Sequence, residues 1–206
     1  MQIDFLVEEP SMEVFLAALL QRRQSGLQYA IHVFQGKRDL LRKLPSRLTA
    51  YSRWLGSAQR IVVIVDCDQD DCHVLKARLE DMALGAGLAT RSHPRADGSF
   101  SVVDRIAVEE LEAWYLGDPE ALRAAFPRLP ENLCSGARFR NPDAILGGTW
   151  EALERLLRQH GYYQGGLAKM DLARRVAPHI DWTRNRSRSF QSFRQALDEL
   201  LREPEA

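Results

Sequence analysis

A dense group of carboxylates follows one apolar segment of the chain. Asp66 and Asp68 come directly after the β-branched residues 61–65, and Asp70 and Asp71 close the same short stretch. Because Asp66 and Asp68 are two positions apart, their side chains point the same way on an extended backbone. Two carboxylates at close range need a cation, or one of them takes up a proton. Hard oxygen donors suit Mg²⁺ or Mn²⁺, so this pattern predicts a divalent-cation site.

Another carboxylate follows the first apolar segment of the chain. Residues 2–7 have the composition of a strand, and Glu8 comes directly after them. If this strand is a parallel neighbour of the strand before Asp66, then Glu8, Asp66 and Asp68 meet at the sheet edge where open α/β sheets bind ligands. Such a site holds one metal ion, or two ions about 4 Å apart, for in-line attack on a phosphodiester.

Helix capping is the structural alternative for part of this acidic pattern. Asp70 and Asp71 stand at the start of a helix predicted over residues 70–86, and acids at that position cap a helix and favour its dipole. Asp66 and Asp68 lie before the cap, so capping does not account for them.

A further acidic cluster begins a helix predicted over residues 108–116. Glu109 and Glu112 have i, i+3 spacing, and Glu110 falls on another face of that helix. Acids in a first turn stabilise a helix, which is a structural explanation. The functional alternative makes Glu110 and Glu112 auxiliary ligands, or a base, of the cation site.

Basic residues near helix starts are candidates for binding a phosphate backbone. Lys37 and Arg38 follow Gly36 at the start of a helix predicted over residues 38–54, and a helix N-terminus can bind phosphate. The segment lacks the full P-loop pattern, so Gly36 can also be a simple strand breaker.

The C-terminal part of the chain adds more candidate phosphate contacts. Lys169 follows two glycines, and Arg186 and Arg188 lie in a basic segment with interleaved aromatic residues. The alternatives are a solvated lysine on a helix and, for the basic segment, a serine cap with Phe190 packed on the last helix.

The cysteines argue against a zinc site or a disulfide framework. Cys67, Cys72 and Cys134 are few and odd in number, and the spacing of Cys67 and Cys72 fits no common zinc pattern. We therefore interpret Cys67 and Cys72 as small core or helix residues. No apolar run reaches the length of a membrane span, and the first residues do not resemble a signal peptide. A reducing, cytoplasmic location is the expectation.

The order of the apolar segments predicts the fold that positions these residues. Strands and amphipathic helices alternate in the first half of the chain, which favours a parallel sheet, and the second half is mainly helical. The fold class is therefore α/β, a Rossmann-like parallel sheet flanked by helices. We expect an α/β core over residues 1–126 and a helical appendage over residues 127–206, packed together as a single compact unit. The predicted strands cover residues 2–7, 28–34, 61–65 and 100–107, and the predicted helices of the second half cover residues 108–116, 118–126, 150–160, 166–177 and 189–202.

Composition and charge fit an ordinary globular protein. The chain has 206 residues, of which 45% are hydrophobic and 27% charged, which excludes a disordered or collagen-like chain. The net charge is zero, but residues 61–120 contain thirteen acidic and five basic residues. This acidic block between basic flanks suits a cation site bordered by surfaces that tolerate phosphate, or an ordinary solvated surface.

Together, these motifs resemble a bacterial family known as domain of unknown function 4276. Its members look like the Toprim domains of topoisomerases, primases and overcoming-lysogenization-defect nucleases. The matching segments run nearly from end to end of the chain, and they are Phe5-Leu6-Val7-Glu8-Glu9-Pro10-Ser11, Gly36-Lys37-Arg38-Asp39-Leu40-Leu41, Val65-Asp66-Cys67-Asp68, Glu110-Leu111-Glu112-Ala113-Trp114 and Asn185-Arg186-Ser187-Arg188-Ser189-Phe190.

The resemblance implies a function as well as a fold. It implies a Toprim-like domain in which Glu8, Asp66 and Asp68 bind Mg²⁺ or Mn²⁺ and cleave nucleic-acid phosphodiesters. It also implies an anti-phage defence system with an ABC-type or overcoming-lysogenization-defect-like ATPase as partner.

Two alternatives to nuclease activity remain open. Glu9 replaces the glycine that the family has after its first glutamate, and Met12 replaces a usual acid. These changes favour a catalytically silent regulator or scaffold that binds the partner ATPase. A protein that binds nucleic acid without cutting it is the other alternative.

Overall fold

A computed structural model of the protein describes residues 1–23, 27–56, 58–133, 136 and 139–201. Four strands form one parallel sheet in the order β2-β1-β3-β4. The strands are β1 (Gln2–Val7), β2 (Gln28–Val33), β3 (Gln59–Asp66) and β4 (Val102–Ala107). The predicted α/β class with a parallel sheet is therefore confirmed.

The strands alternate with helices in the first half, and helices dominate the second half. The α-helices in the described ranges are α1 (Pro10–Arg23), α2 (Lys37–Ser52), α3 (Cys72–Gly85), α4 (Glu112–Leu116), α5 (Pro119–Ala125), α6 (Thr149–Gln159), α7 (Lys169–Val176) and α8 (Arg188–Leu201). None of these helices has the length and apolar character needed to cross a membrane.

Strand β1 lies between β2 and β3, and it runs parallel to both. Val7, its last residue, is in register with Val33 of β2 and Ile64 of β3. The predicted parallel pairing of the first and third strands is thus confirmed. As a result, the residues that follow Val7 and Ile64 emerge at the same edge of the sheet.

The central strands are buried because both of their faces are apolar. The side chains of residues 61–65 are at most 1% exposed, as a central parallel strand requires. Leu6 and Val63 pack in one cluster with Leu44 of α2 and Leu79 of α3, which cover one face of the sheet. Because α2 and α3 pack on the sheet in this way, the first residues of both helices lie at the edge where β1 and β3 end.

Contacts group the chain into two compact units. The first contains the described residues of 1–10, 26–106 and 193–206, and the second contains those of 11–25 and 107–192. The first unit thus holds β1 to β3, α2, α3 and nearly all of β4. The predicted division into a core over residues 1–126 and an appendage over residues 127–206 stays a prediction.

An aromatic cluster forms part of the core of the second unit. The Trp114 ring lies 5.6 Å from the ring of Phe15 and 5.4 Å from that of Phe190, measured between centroids. All three side chains are fully buried. The predicted packing role of Phe190 is therefore confirmed.

The helix predicted over residues 108–116 is shorter than expected. α4 begins at Glu112, and Glu109 has a left-handed backbone with φ of 60°. A residue in that conformation cannot belong to a right-handed helix. The predicted i, i+3 relation of Glu109 and Glu112 on one helix is therefore wrong.

Cys67 is buried and Cys72 begins α3, as the interpretation of core or helix residues expected, but their pairing was not predicted. A disulfide joins them, with their Cα atoms 5.7 Å apart. The loop after β3 turns back within five residues, so the start of α3 comes within bonding distance of Cys67. Counting cysteines tests for a disulfide framework and does not detect a single local bridge. Cys134 lies outside the described residues.

Candidate functional site

Glu8 and Asp66 lie next to each other at the carboxyl ends of β1 and β3. The backbone N–H of Asp66 donates to Glu8 Oε2 at 3.2 Å. Asp66 is 5% exposed and Glu8 is partly buried. The predicted convergence of these two acids follows directly from the pairing of their strands.

The Glu8 carboxyl group lies in an environment that favours its neutral form. Burial raises its pKa to about 7, and the charges of Asp68 and Glu9 act in the same direction. The hydrogen bond from the Asp66 N–H and the charge of Lys37 oppose this rise. Together these effects leave the Glu8 carboxyl group partly protonated near neutral pH.

Lys37 contacts the loop between β3 and α3, residues 67–71, which we call the acidic loop. Its Nζ lies 2.7 Å from Asp68 Oδ2 and 2.8 Å from Asp70 Oδ2, and it donates to the carbonyl oxygen of Cys67 at 3.0 Å. Burial lowers the pKa of Lys37, but the hydrogen bonds and charges of Asp68 and Asp70 outweigh this effect and raise it. The single charge of the lysine thus partly compensates the two exposed aspartates.

Gly36 places Lys37 at this position. Its N–H donates to the carbonyl oxygen of Glu8 at 3.0 Å, so the start of α2 is attached to the end of β1. Gly36 has φ of 85° and ψ of 169°, a conformation that a residue with a Cβ atom adopts only with strain. The glycine is therefore required for the turn that brings Lys37 to the acidic loop.

The remaining loop acids have separate roles. Asp71 Oδ1 accepts from the N–H groups of His73 and Val74 at 2.8 and 3.1 Å, so it caps α3 as the structural alternative predicted. Asp70 binds Lys37 instead of capping. Asp68 has φ of 49°, and its side chain is 45% exposed.

The acids match a divalent cation in donor type but not in arrangement. Glu8, Asp66 and Asp68 offer the hard oxygen donors that Mg²⁺ and Mn²⁺ prefer. Within the described ranges, however, no group of three His, Cys, Asp or Glu side chains is arranged to hold a metal ion. The donor chemistry fits a cation, and the conformation of the loop leaves the three carboxylates unassembled.

A basic pocket of about 620 Å³ adjoins the acidic loop. Lys37 and Arg38 line it, together with Arg42 one turn further along α2 and Arg78 from α3. Asp68 and Asp70 form its acidic side. Arg42 and Arg78 were missed from the sequence, although the i, i+4 spacing of Arg38 and Arg42 was a signal for the first.

Glu110 and Glu112 belong to the second unit. Glu110 Oε2 accepts from the N–H of Trp150 at 3.2 Å, at the start of α6. Glu112 is buried in α4 with 1% of its surface exposed. Their assignment as auxiliary ligands or a base stays a prediction.

The other predicted phosphate contacts also lie in the second unit. Lys169 Nζ is 5.1 Å from the ring centroid of Trp150, a cation–π distance. Arg186 and Arg188 are both exposed.

A buried polar network fixes the segment around Arg186 and Arg188. Ser187 Oγ donates to Asp143 Oδ1 at 2.7 Å, and the N–H of Ser189 donates to Asp143 Oδ2 at 3.0 Å. Ser187 and Ser189 are therefore turned inward, and the two arginines that alternate with them face outward. Binding of a phosphate backbone by these arginines stays a prediction.

A family model identifies the relatives of the chain. The model described as domain of unknown function DUF4276 matches residues 7–199, which is nearly the whole chain. No curated protein and no solved structure matches the chain. The match includes the ends of β1 and β3, the acidic loop and the segment of Arg186 and Arg188. The chain therefore belongs to the family of domain of unknown function DUF4276.

Proposed function

We propose that this protein is a Toprim-like nuclease that uses Mg²⁺ or Mn²⁺ to cleave nucleic-acid phosphodiesters. In this proposal it works in the cytoplasm as a component of a bacterial anti-phage defence system, with an ATPase of the ABC or overcoming-lysogenization-defect type as partner. One observation carries the proposal. The Glu8 carboxylate accepts from the backbone N–H of Asp66 where two parallel strands end, and the basic pocket of α2 and α3 borders the loop that follows.

The acidic side of the site has the chemistry that cleavage needs. Glu8, Asp66 and Asp68 would hold the cation, which when bound supplies positive charge against the charge that develops on the phosphate oxygens. Glu8 would alternatively serve as the base, because with a pKa of about 7 when no cation is bound its carboxyl group can accept or release a proton near neutral pH. Its Oε1 and Oε2 atoms are thus candidates for moving a proton during hydrolysis.

The basic side of the site would position the substrate. Lys37 and Arg38 open helix α2, where the N–H groups and the helix dipole attract a phosphate. Arg42 and Arg78 extend the same positive surface around the pocket. Arg186 and Arg188 are proposed to bind further phosphates of the backbone, because both are exposed and held by a rigid segment.

A titration of Mn²⁺ into the reduced protein by calorimetry tests this proposal. We expect the wild type to bind in the micromolar to low-millimolar range, and Asp68→Asn and the double variant Asp66→Asn/Asp68→Asn to lose binding. Asp81→Asn is the matched control, because Asp81 is an exposed acid on α3. Circular dichroism checks the fold, and the exposed position of Asp68 keeps the test valid if the buried Asp66 variant unfolds.

Cleavage of DNA, RNA and transfer RNA is then measured with the same proteins. Loss of Mn²⁺-dependent cleavage in Asp68→Asn, with cleavage retained in Asp81→Asn, supports the proposal. Full activity of the double variant would contradict it.

A regulator without catalytic activity is the second candidate function. The observation that favours it is Lys37, whose ammonium group already compensates Asp68 and Asp70. This candidate predicts no Mn²⁺ binding by the reduced wild type. It also predicts that variants of the ATPase-binding surface, and not of the acidic loop, abolish function.

A further inference from the structure

The disulfide between Cys67 and Cys72 bridges the two ends of the loop in the candidate site. It spans the loop that contains Asp68, Asp70 and Asp71, between the end of β3 and the first turn of α3. Asp66 immediately precedes it. Every loop acid of the proposed cation site is therefore either inside the bridged segment or next to it.

The bridged loop holds Asp68 in a particular direction. Asp68 has a left-handed backbone with φ of 49°, and its carboxylate is 2.7 Å from Lys37 Nζ. The N–H of Asp70 donates to the carbonyl oxygen of Cys67 at 3.0 Å, which tightens the same turn. In this form of the loop, the described residues contain no group of three acids arranged to hold a metal ion.

We propose that Cys67 and Cys72 are a reversible thiol–disulfide modification site that controls cation binding by the acidic loop. The disulfide form keeps Asp68 on Lys37, and the dithiol form lets Asp68 turn toward Asp66 and Glu8. The proposal rests on the proposed function, since it concerns the same cation site. The reductant that it requires is a dithiol.

The exchange balances in two steps. A thiolate of the reductant attacks Cys72 Sγ, forms a mixed disulfide and releases the Cys67 sulfur as a thiolate, which takes up a proton. The second thiolate of the reductant attacks its own sulfur in the mixed disulfide and releases Cys72, which takes up a proton. In total, two electrons and two protons pass to the cysteine pair, and the reductant becomes a disulfide.

The exposure of the two cysteines sets the direction of attack. Cys72 is partly exposed at the start of α3, whereas Cys67 is 2% exposed. An incoming thiolate therefore reaches Cys72 first, and Cys67 is the leaving group. No movement of the sheet is needed for this step.

Reduction changes what restrains the loop. The ends of the loop stay attached, because Asp66 is part of β3 and Asp71 caps α3. Between them, Lys37 holds Asp68 and Asp70 by ion pairs whose carboxylates are exposed, and solvent weakens the attraction on that side. A divalent cation carries twice the charge of the ammonium group, so it can compete for Asp68 once the cross-link is gone.

The test compares Mn²⁺ affinity in the two redox states of the full chain. One sample is oxidised with diamide and the other is reduced and then freed of reductant under nitrogen, and a thiol count establishes each state. We expect the reduced form to bind Mn²⁺ about tenfold or more tightly, because losing a positioned carboxylate costs at least as much as losing an outer-shell partner. Cys72→Ser should bind like the reduced wild type under both conditions, and Cys134→Ser should keep the redox dependence.

The outcomes separate this proposal from the proposed function. Equal Mn²⁺ affinity in both states, or a redox dependence retained in Cys72→Ser, overturns the redox proposal and leaves the cation site intact. Absence of Mn²⁺ binding in both states overturns both. A thiol count that shows no loss of thiols from Cys134→Ser on oxidation also overturns the redox proposal, because the bridge then does not form.

Discussion

Lys37 is the residue on which the chemistry of the site depends most directly. Its ammonium group lies between Asp68 and Asp70 and also contacts the Cys67 carbonyl oxygen. A cation in this position has two possible uses. It neutralises the loop when no metal ion is bound, and it is available to a phosphate oxygen when Asp68 turns to another partner.

Replacing Lys37 separates these two uses. We expect Lys37→Met to bind Mn²⁺ about fivefold more tightly, because removing one unit charge beside the partly exposed Asp68 carboxylate is worth about 1 kcal/mol. We expect the same variant to bind nucleic acid more weakly, with the slope of log affinity against log salt reduced by about 1. Calorimetry and binding at several salt concentrations measure the two effects.

Lys43→Met is the matched control for this experiment. Lys43 lies on the same helix and pairs with Asp39, away from the acidic loop. It should change neither quantity. Weaker Mn²⁺ binding in Lys37→Met would mean that the lysine organises the cation site and does not compete with the metal.

At the scale of elements, short segments position the site by contacts between their ends. Asp71 caps α3, and Gly36 attaches the start of α2 to the end of β1. In the second unit, Glu110 accepts from the first turn of α6. The starts of α2, α3 and α6 are therefore anchored, which limits the movement of the residues next to them.

The packing of α3 on β4 buries an acid outside the candidate site. Asp104 of β4 is fully buried, and Lys76 Nζ of α3 lies 4.0 Å from its Oδ2. Burial raises the pKa of Asp104 to about 6, against the charges of Lys76 and Arg105. Because the folded pKa exceeds the unfolded value, the folded state binds more protons between about pH 4 and 6. The contribution of Asp104 to stability therefore falls as pH rises through this window and is constant above it.

This linkage has a measurable size. A rise of about two pKa units corresponds to about 3 kcal/mol of unfolding free energy lost by this group between pH 4 and 6. We expect Asp104→Asn to lack this component, while Asp81→Asn keeps it. Urea denaturation at several pH values between 4 and 7 measures it for each variant. An identical pH dependence in the wild type and Asp104→Asn would show that Asp104 has an ordinary pKa.

At the scale of the whole molecule, the chain alternates between its two units. The first unit takes residues from three stretches of the chain and the second from two. The last stretch of the first unit contributes three buried apolar side chains, those of Phe193, Leu197 and Leu200. It also contains Glu199, whose Oε1 accepts from Arg91 at 2.6 Å. The sheet unit thus depends on residues more than eighty positions beyond its last strand.

A chain cut after residue 126 tests this dependence. We expect residues 1–126 alone not to fold cooperatively. The loss of three buried apolar side chains costs about 2 kcal/mol each, against a total stability of about 5–15 kcal/mol. Circular dichroism and urea denaturation compare this fragment with the full chain. A cooperative transition of the fragment would instead support an independent core over residues 1–126.

The sequence by itself determined the strands, their alternation with helices and the main acidic residues. Residues 61–65 are β-branched and apolar throughout, a local pattern that only a buried strand satisfies. Glu8 and Asp66 could be placed together because each directly follows a strand, and the two strands are parallel neighbours. These inferences succeeded because they depend on side-chain type and on short spacing.

Only the tertiary structure decided which partner each acid has and which cysteines are bonded. The left-handed backbone at Glu109, the position of Lys37 between Asp68 and Asp70, and the bridge between Cys67 and Cys72 all depend on how separate segments meet. The same holds for the burial of Asp104 near Lys76 of α3. Spacing along the chain shows which residues can share a face, but partner, pKa and exposure are set by neighbours brought together from distant parts of the chain.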